Sequence, residues 1–358
     1  MNAVLTNKHS KNEIFSKYYL TDRTILEMCE MEKDVSGESL TQFAYMLKRM
    51  GVNLIEIGQK AILKKIDIPM QWAIFRIKNR KDIELCLNKD INYVIIDYEN
   101  SLDVKDLKKL SSIGVSITID IKAETFKNKG KLLDALENQD FYGADTVRIN
   151  GVTDFENNDW MSIIKRIQRH DIQIDICPSD AYFTGTSIAF DYINCGVNYI
   201  TASFDGFGKD PLAPIEEIMV SEYVLGERES QYDLSFLPEM VKLFNKITGV
   251  KIENNKPVIG SDIFAVESGI HTHGIDKCAI TYEPFAPEMV GQKRSVMIGK
   301  HSGRKSIERK LTQMGLDSNE YDLSVLLEAV REDSINRRRA LNDVDIKNLL
   351  CRGKLICR

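Results

Sequence analysis

The sequence predicts a (β/α)8 barrel, or TIM barrel, followed by a linker subdomain and a small C-terminal helical subdomain. The 358 residues suit a barrel of about 250 residues with an appended segment of about 100. Between Tyr18 and Ser203, short apolar or β-branched runs alternate with amphipathic segments. Several helix-to-strand joints also carry a glycine directly before the β-branched run, at Gly51, Gly114 and Gly196.

The strands can be placed in order along the chain. The predicted strands are residues 18–21, Val52–Ile57, Trp72–Ile77, Tyr93–Tyr98, Val115–Ile121, Thr146–Ile149, Ile172–Cys177 and Asn198–Ala202. Parallel strands separated by helices of about ten to fifteen residues close most simply into a barrel. A doubly wound open sheet is the alternative.

The rest of the chain divides by composition. The predicted parts are a disordered lead-in at 1–14, the barrel at 15–235, the linker subdomain at 236–300 and the helical subdomain at 301–358. Helices are predicted over Pro214–Gly226 and Asp233–Thr248. Residues 251–300 are rich in glycine and proline, which is typical of a loop-dominated segment. Beyond Gly303, apolar stripes such as Ile307 with Leu311 predict packed helices.

Composition excludes several classes of function. A net charge of −5 argues against nucleic-acid binding, which needs a basic face. No apolar run approaches the roughly 20 residues of a membrane span, and no secretory signal begins the chain, so we expect a cytoplasmic protein. The seven cysteines form no CxxC pair and are expected to be reduced. Glycine-rich phosphate-binding signatures are absent from the sequence.

An active site in such a barrel forms at the carboxyl ends of the strands. The predicted strand ends carry polar side chains at Asp22, Glu56, Arg76, Asp97, Asp120, Arg148, Asn150, Cys177, Ser179, Thr201 and Ser203. None of these residues is a histidine, so a metal site here would depend on carboxylates, which can hold Mg²⁺. Three of the chain's five histidines lie instead within about thirty residues, at His271, His273 and His301.

The region around these histidines carries three motifs in order. They are Glu267-Ser-Gly-Ile-His followed by Gly274-Ile-Asp-Lys277, Tyr282-Glu-Pro-Phe-Ala-Pro-Glu-Met-Val-Gly291, and Ile298-Gly-Lys-His-Ser-Gly303. The sequence resembles the linker region of homocitrate synthases of the nitrogen-fixation type, which are relatives of isopropylmalate synthase. Weaker likeness extends over the barrel through Ile55-Glu-Ile-Gly58, Gly143-Ala-Asp-Thr-Val-Arg148 and Gly206-Phe-Gly208.

The resemblance implies condensation of acetyl-CoA with a 2-oxo acid that is held on a divalent metal. In the family the first strand ends D-T-T-L-R-D-G-E-Q, and the seventh ends with an H-x-H pair of metal ligands. Here Leu26 stands at the arginine position and Glu27 at the metal aspartate, and Cys177 and Ser179 stand at the two histidines. We therefore expect that this barrel binds no metal and does not catalyse condensation by itself.

The resemblance also implies that linker residues reach over the barrel of a neighbouring subunit. His271 and Tyr282 stand eleven residues apart, as in functional relatives, and are the candidate catalytic residues, together with Glu267. An imidazole and a phenol can polarise a thioester and relay a proton as an enolate forms. His273 is expected to be incidental, and His301 is expected to help fix the start of the following helix. No cofactor-binding residue is assigned.

The two halves together resemble the omega-type subunit of a split clostridial homocitrate synthase. Such a subunit would pair with an alpha-type subunit that holds Mg²⁺ or Mn²⁺, and it would act on acetyl-CoA and a 2-oxo acid, with 2-oxoglutarate giving homocitrate for the nitrogenase iron–molybdenum cofactor. One alternative is a non-catalytic regulatory subunit that senses a small organic acid. Another is an autonomous acyltransferase with an altered metal site.

Overall fold

Eight parallel strands close into a barrel in the computed structural model of the chain. The model describes residues 18–99, 104–128, 143–153, 160–226, 232–267, 271, 274–275 and 277–351. The strands are β1 (Tyr19–Asp22), β2 (Leu54–Ile57), β3 (Ala73–Ile77), β4 (Tyr93–Asp97), β5 (Ser116–Lys122), β6 (Thr146–Val152), β7 (Gln173–Pro178) and β8 (Tyr199–Ala202). The predicted lead-in lies outside the described residues.

Each strand pairs in parallel with the next, and β8 pairs with β1 through Leu20 and Ile200, among others. The predicted barrel is confirmed, and the open sheet is wrong. β6 runs three residues past its predicted end, because Asn150 and Val152 still pair with β7 across a local irregularity of register. Inward-facing apolar residues close the amino-terminal end of the barrel, where Leu54, Ile74 and Ile95 form one buried cluster.

The glycines at the helix-to-strand joints have left-handed backbone conformations. The φ angles of Gly51, Gly114 and Gly196 are 113°, 81° and 80°. A side chain is disfavoured at such angles, so glycine ends each helix and turns the chain into the next strand. The sequence signal that predicted these joints therefore has a direct conformational cause.

Helices follow most of the strands. They are α1 (Thr24–Glu30), α2 (Gly37–Met50), α3 (Gln59–Leu63), α4 (Arg80–Leu87), α5 (Val104–Ser112), α6 (Trp160–Gln168), α7 (Gly185–Asn194), α8 (Ile215–Gly226) and α9 (Leu237–Thr248). The predicted helix at 214–226 is confirmed, whereas the next helix begins four residues later than predicted. Pro238 occupies the first turn of α9, where its missing N–H leaves no hydrogen bond unmade. In the described part of the chain, no helix has both the length and the apolar character of a membrane span.

The chain divides into two units, one of residues 1–233 with 239–251 and one of residues 234–238 with 252–358. In the second unit a short parallel pair joins β9 (Ala265–Val266) to β10 (Ser295–Val296). The helices of this unit are α10 (Arg304–Gln313), α11 (Leu323–Arg337) and α12 (Asp343–Leu350). The predicted apolar stripe, including Ile307 and Leu311, is buried in one core. The finer division into linker and helical subdomains stays a prediction.

Candidate functional site

The carboxyl ends of the barrel strands surround a cavity of about 1030 Å³. We call this cavity the mouth. Its lining is mostly charged and includes Arg23, Glu27, Arg76, Asp97, Asp120 and Asn150. Four of the strand-end residues that the sequence singled out, Arg76, Asp97, Asp120 and Asn150, therefore meet at one place, as expected for parallel strands that close into a barrel.

Arg76 on β3 links the carboxylates of three strands. Its Nε donates to Glu56 Oε1 at 2.5 Å, and its Nη2 donates to Asp120 Oδ2 at 2.6 Å. Its Nη1 donates to Asp97. The Arg76 side chain is buried, and so are those of Glu56 and Asp120. A planar guanidinium with donors on three sides can satisfy several carboxylates at once.

Arg148 on β6 extends the network of charged side chains that Arg76 begins. Its Nη1 donates to the second oxygen of Glu56 at 2.5 Å, and its Nε donates to Asp175 at 2.7 Å. Thr201 donates its hydroxyl to the same carboxylate of Asp175. The arginines thus engage both oxygens of Glu56, and the network joins strands β2 to β8.

Burial and the arginines have opposite effects on these acids. Burial by itself raises the pKa of Glu56, but the positive charges of Arg76 and Arg148 outweigh it and hold that pKa far below its ordinary value. Asp22, at the end of β1, lacks such a partner, and burial raises its pKa to about 7 although Thr24 and Ile25 donate hydrogen bonds to it. The two arginines therefore favour the ionised form of Glu56, whereas burial favours the protonated form of Asp22 and also raises the pKa of Asp175 against the charge of Arg148.

Arg23 is a mouth residue that the sequence did not single out. It follows β1 directly, and its Nε lies 3.3 Å from Glu27 Oε1, one helical turn later. The geometry is that of an ion pair rather than a hydrogen bond, since the buried Nε has no hydrogen-bond acceptor within the part of the chain that the structure describes. The other oxygen of Glu27 accepts a hydrogen bond from the backbone N–H of Lys209 at 3.2 Å. An arginine four residues before a glutamate, next to a strand end, was the available signal.

Cys177 and Ser179 end β7 in different ways. Cys177 is fully buried, and burial raises the pKa of its thiol to about 12 against the opposing positive charges of Arg23 and Arg148. The thiol is therefore protonated at neutral pH, and it is the thiolate that binds metals. Ser179 accepts a hydrogen bond from Ala181 N at 3.3 Å and donates its own N–H to Val152 O. The Ser179 side chain thus forms a hydrogen bond within its own loop.

In the second unit, residues 267–282 form a segment that we call the arm. The rings of His271 and Tyr282 lie in contact within it, with centroids 5.1 Å apart and planes tilted by 49°. Both side chains are exposed, Tyr282 to 44 %. Two residues that the motif places eleven positions apart are thus adjacent in space and face solvent. His273 lies outside the described residues.

Glu267 braces the loop that follows β10. Its Oε1 accepts a hydrogen bond from the backbone N–H of His301 at 3.0 Å. In the same loop, Ser302 accepts a hydrogen bond from Gly299 N at 2.9 Å. The helix α10 begins after Gly303 without a side-chain cap. These hydrogen bonds, rather than a side-chain cap, hold the loop directly before α10, and the expected role of His301 in fixing the start of this helix stays a prediction. A catalytic role of Glu267 stays a prediction.

Comparison with known proteins gives two kinds of likeness. Residues 258–338 match the family model described as "Homocitrate synthase post-HMGL domain-like". The chain is 29% identical to the homocitrate synthase omega subunit of Clostridium pasteurianum, over 92% of this chain and 94% of that one. It is 25% identical to the homocitrate synthase AksA of Methanothermobacter thermautotrophicus, over 86% of each chain. The chain is therefore similar to homocitrate synthases over nearly its whole length.

The barrel is also similar in structure to lyases of known structure. The HMG-CoA lyase of Bacillus subtilis covers 66% of the chain with a TM-score of 0.51 and 14% identity. An HMG-CoA lyase from Acinetobacter baumannii covers 65% with a TM-score of 0.53. At these identities the likeness supports the fold alone, which is the eight-stranded parallel barrel.

The mouth does not fit the divalent metal that the resemblance implies for homocitrate synthases. Both oxygens of Glu27 already face donors. The buried carboxylates of the network face arginines. Among the described residues, no group of three or more His, Cys, Asp or Glu side chains is arranged to hold a metal ion. The carboxylate oxygens that a hard cation would need as ligands already contact other partners.

Proposed function

We propose that the chain is a subunit of a homocitrate synthase and that its arm supplies His271 and Tyr282 to the barrel of an alpha-type partner subunit. The contact between these two exposed rings, in a chain whose own mouth does not fit a metal, is the observation that carries the proposal. The name of the Clostridium pasteurianum relative, an omega subunit, supports a partner, since the likeness spans nearly the whole of both chains.

The reaction would join acetyl-CoA, 2-oxoglutarate and water to give homocitrate and CoA in the cytoplasm. A methyl proton leaves acetyl-CoA, the enolate carbon forms a bond to the ketone carbon, and water then cleaves the thioester. A divalent ion in the partner, Mg²⁺ or Mn²⁺, would supply Lewis-acid stabilisation of the alkoxide. Homocitrate would serve as the organic acid of the nitrogenase iron–molybdenum cofactor.

In this proposal the two arm residues act on the thioester. The phenol of Tyr282 donates a hydrogen bond to the thioester carbonyl oxygen, where negative charge develops in the enolate. The imidazole of His271, in contact with that ring, moves the proton. Side chains that serve a second subunit must be accessible in the single chain, and both are.

The experiment compares the chain, an alpha-type partner and their mixture, each assayed with acetyl-CoA and 2-oxoglutarate. We expect turnover by the mixture and none by the chain alone. His271→Ala should lower kcat of the mixture by about 10²- to 10⁴-fold, the usual contribution of a general acid or base. The matched control is His170→Ala, an exposed histidine of the first unit, which should leave kcat unchanged. Full activity of His271→Ala, or turnover of roughly 1 s⁻¹ by the chain alone, would overturn the proposal.

The size of the mouth favours a second candidate, a regulatory subunit that senses a small organic acid. Its cavity of about 1030 Å³ is as large as a small-molecule site. Calorimetric titration of the chain with a panel of di- and tricarboxylic acids tests this candidate. Saturable binding that Arg23→Gln abolishes would support it, and absence of heat across the panel would remove it.

A further inference from the structure

We propose that the guanidinium of Arg23 is a built-in cation that occupies, in the mouth of this chain, the role that a divalent metal has in relatives. The proposal depends on where Arg23 lies and on what its neighbours lack. This role of Arg23 concerns the barrel alone and does not depend on whether the arm serves a partner subunit.

The backbone holds Arg23 at the rim of the barrel. Its N–H donates to the carbonyl of Ala202 on β8 at 3.0 Å, and its own carbonyl accepts from Glu27 N at 3.2 Å. The side chain is only 18% exposed and lines the mouth. Arg23 is therefore fixed between the last strand and the first helix, and its charge is directed into the cavity.

Arg23 pairs with the residue at one position where the resemblance implies a metal ligand, and its charge acts on the residue at another. It forms its ion pair with Glu27, which stands at the metal aspartate. Its positive charge also acts on the Cys177 thiol, which stands at the first histidine of the H-x-H pair. One permanent positive charge thus acts on residues at two of the positions that would otherwise share an ion.

The electrostatic surroundings of Arg23 are those of a cation site. Burial by itself lowers the pKa of its guanidinium, but the negative charges of Glu56, Asp120 and other neighbours outweigh it and raise the pKa. Arg76 opposes them only in part. A guanidinium cannot lose its proton in a protein, so this charge is present at every physiological pH.

A guanidinium replaces the charge of a metal ion but not its chemistry. It neutralises Glu27 and the network carboxylates, so the barrel keeps its charge balance without taking up an ion. It has no open coordination position, so it cannot chelate the ketone and carboxylate of a 2-oxo acid as a Lewis acid does. A guanidinium in place of the metal ion would therefore preserve the fold of the barrel and remove its metal-dependent reaction.

The test uses the full chain, freed of metal with a chelator, and Mn²⁺ as the probe. We expect the wild-type protein to take up no Mn²⁺ in a titration followed by electron paramagnetic resonance, and its Tm to be the same with Mn²⁺ or with chelator. Arg23→Gln should lower the Tm by roughly 5 °C or more, because it leaves Glu27 and the network under-neutralised. Arg23→Gln should also gain affinity for Mn²⁺.

Arg23→Lys is the matched control because it keeps the charge while changing the shape of the side chain. Its Tm should stay close to that of the wild type. A Tm of Arg23→Lys as low as that of Arg23→Gln would overturn the proposal, since shape rather than charge would then matter. Stoichiometric Mn²⁺ uptake by the wild type that Glu27→Gln abolishes would also overturn it, and this measurement decides even if Arg23→Gln fails to fold.

Discussion

Gly274 packs directly against the ring of Tyr282. A Cβ atom built on Gly274 would lie 3.0 Å from both Cζ and Oη of Tyr282, and closer still to the edge of the ring. The carbonyl of Gly274 accepts a hydrogen bond from Cys278 N at 2.8 Å, so its backbone cannot easily retreat. Glycine at this position therefore keeps Tyr282 against His271.

Replacing Gly274 with alanine should push the Tyr282 ring away from His271. We expect kcat of the reconstituted pair to fall by roughly 10-fold or more, because small displacements of catalytic groups are costly. The matched control is Gly303→Ala, since nothing lies within 4 Å of a Cβ built on Gly303. In a Tyr282→Ala background, Gly274→Ala should have no further effect. An additional loss there would show that Gly274 acts by another route.

Tyr282→Phe removes the hydroxyl and keeps the ring that contacts His271. We expect kcat of the reconstituted pair to fall by roughly 100-fold with little change in KM, because the lost hydrogen bond acts mainly in the transition state. The Tm should not change, since the side chain is 44% exposed. Tyr182→Phe, at a 72% exposed tyrosine, is the control. Unchanged kcat in Tyr282→Phe would contradict a role of the hydroxyl in the reaction and would leave a role only for the ring.

Glu267→Gln separates a bracing role from a chemical one. The amide oxygen of glutamine can still accept the hydrogen bond from His301 N, so a bracing role alone predicts an unchanged Tm and an activity of the pair retained within about 3-fold. Glu267→Ala leaves that N–H without its partner and should destabilise the second unit by about 1–3 kcal/mol. Urea unfolding measures the difference. A 100-fold loss of activity in Glu267→Gln at full stability would show that the carboxylate takes part in the chemistry.

Asp22→Asn should change how stability depends on pH. Burial raises the pKa of Asp22 from 3.8 to about 7, so the folded protein holds this proton more tightly than the unfolded chain does. The free energy of unfolding should therefore fall as pH rises from about 4 to about 7, by up to about 1.4 kcal/mol per pH unit, and level off above. Asp22→Asn lacks this dependence.

Urea unfolding of the wild type and of Asp22→Asn at several pH values between 5 and 8 checks this expectation. The two curves of stability against pH should diverge up to about pH 7 and run parallel above it. Parallel curves over the whole range would mean that the hydrogen bonds from Thr24 and Ile25 keep Asp22 ionised.

The sequence predicted the barrel because its signals are local. Glycine at Gly51, Gly114 and Gly196 marks joints whose φ angles other residues avoid, and β-branched runs favour strands wherever they occur. The errors are also local. The strand β6 was predicted too short because Gly151, with φ of 82°, reads as a turn although Val152 still pairs with β7.

The mouth could be predicted only in part. Strand-end positions such as Glu56, Arg76 and Arg148 follow from the order of the strands, so their meeting was expected. Which charge pairs with which did not follow, because the partners lie 20 to 92 residues apart in sequence. Arg23 was missed for a different reason, because the direction of its side chain into the mouth depends on how α1 packs after β1.

The sequence by itself determined the parallel barrel, the helical C-terminal part and the motif that carries His271 and Tyr282. These features depend on residue type and spacing along the chain. Only the tertiary structure decided that Arg23 lines the mouth, which arginine neutralises which buried carboxylate, and that the two rings of the arm touch. Such pairings depend on distances across the fold, where burial strengthens charge interactions and a few ångströms decide which groups meet.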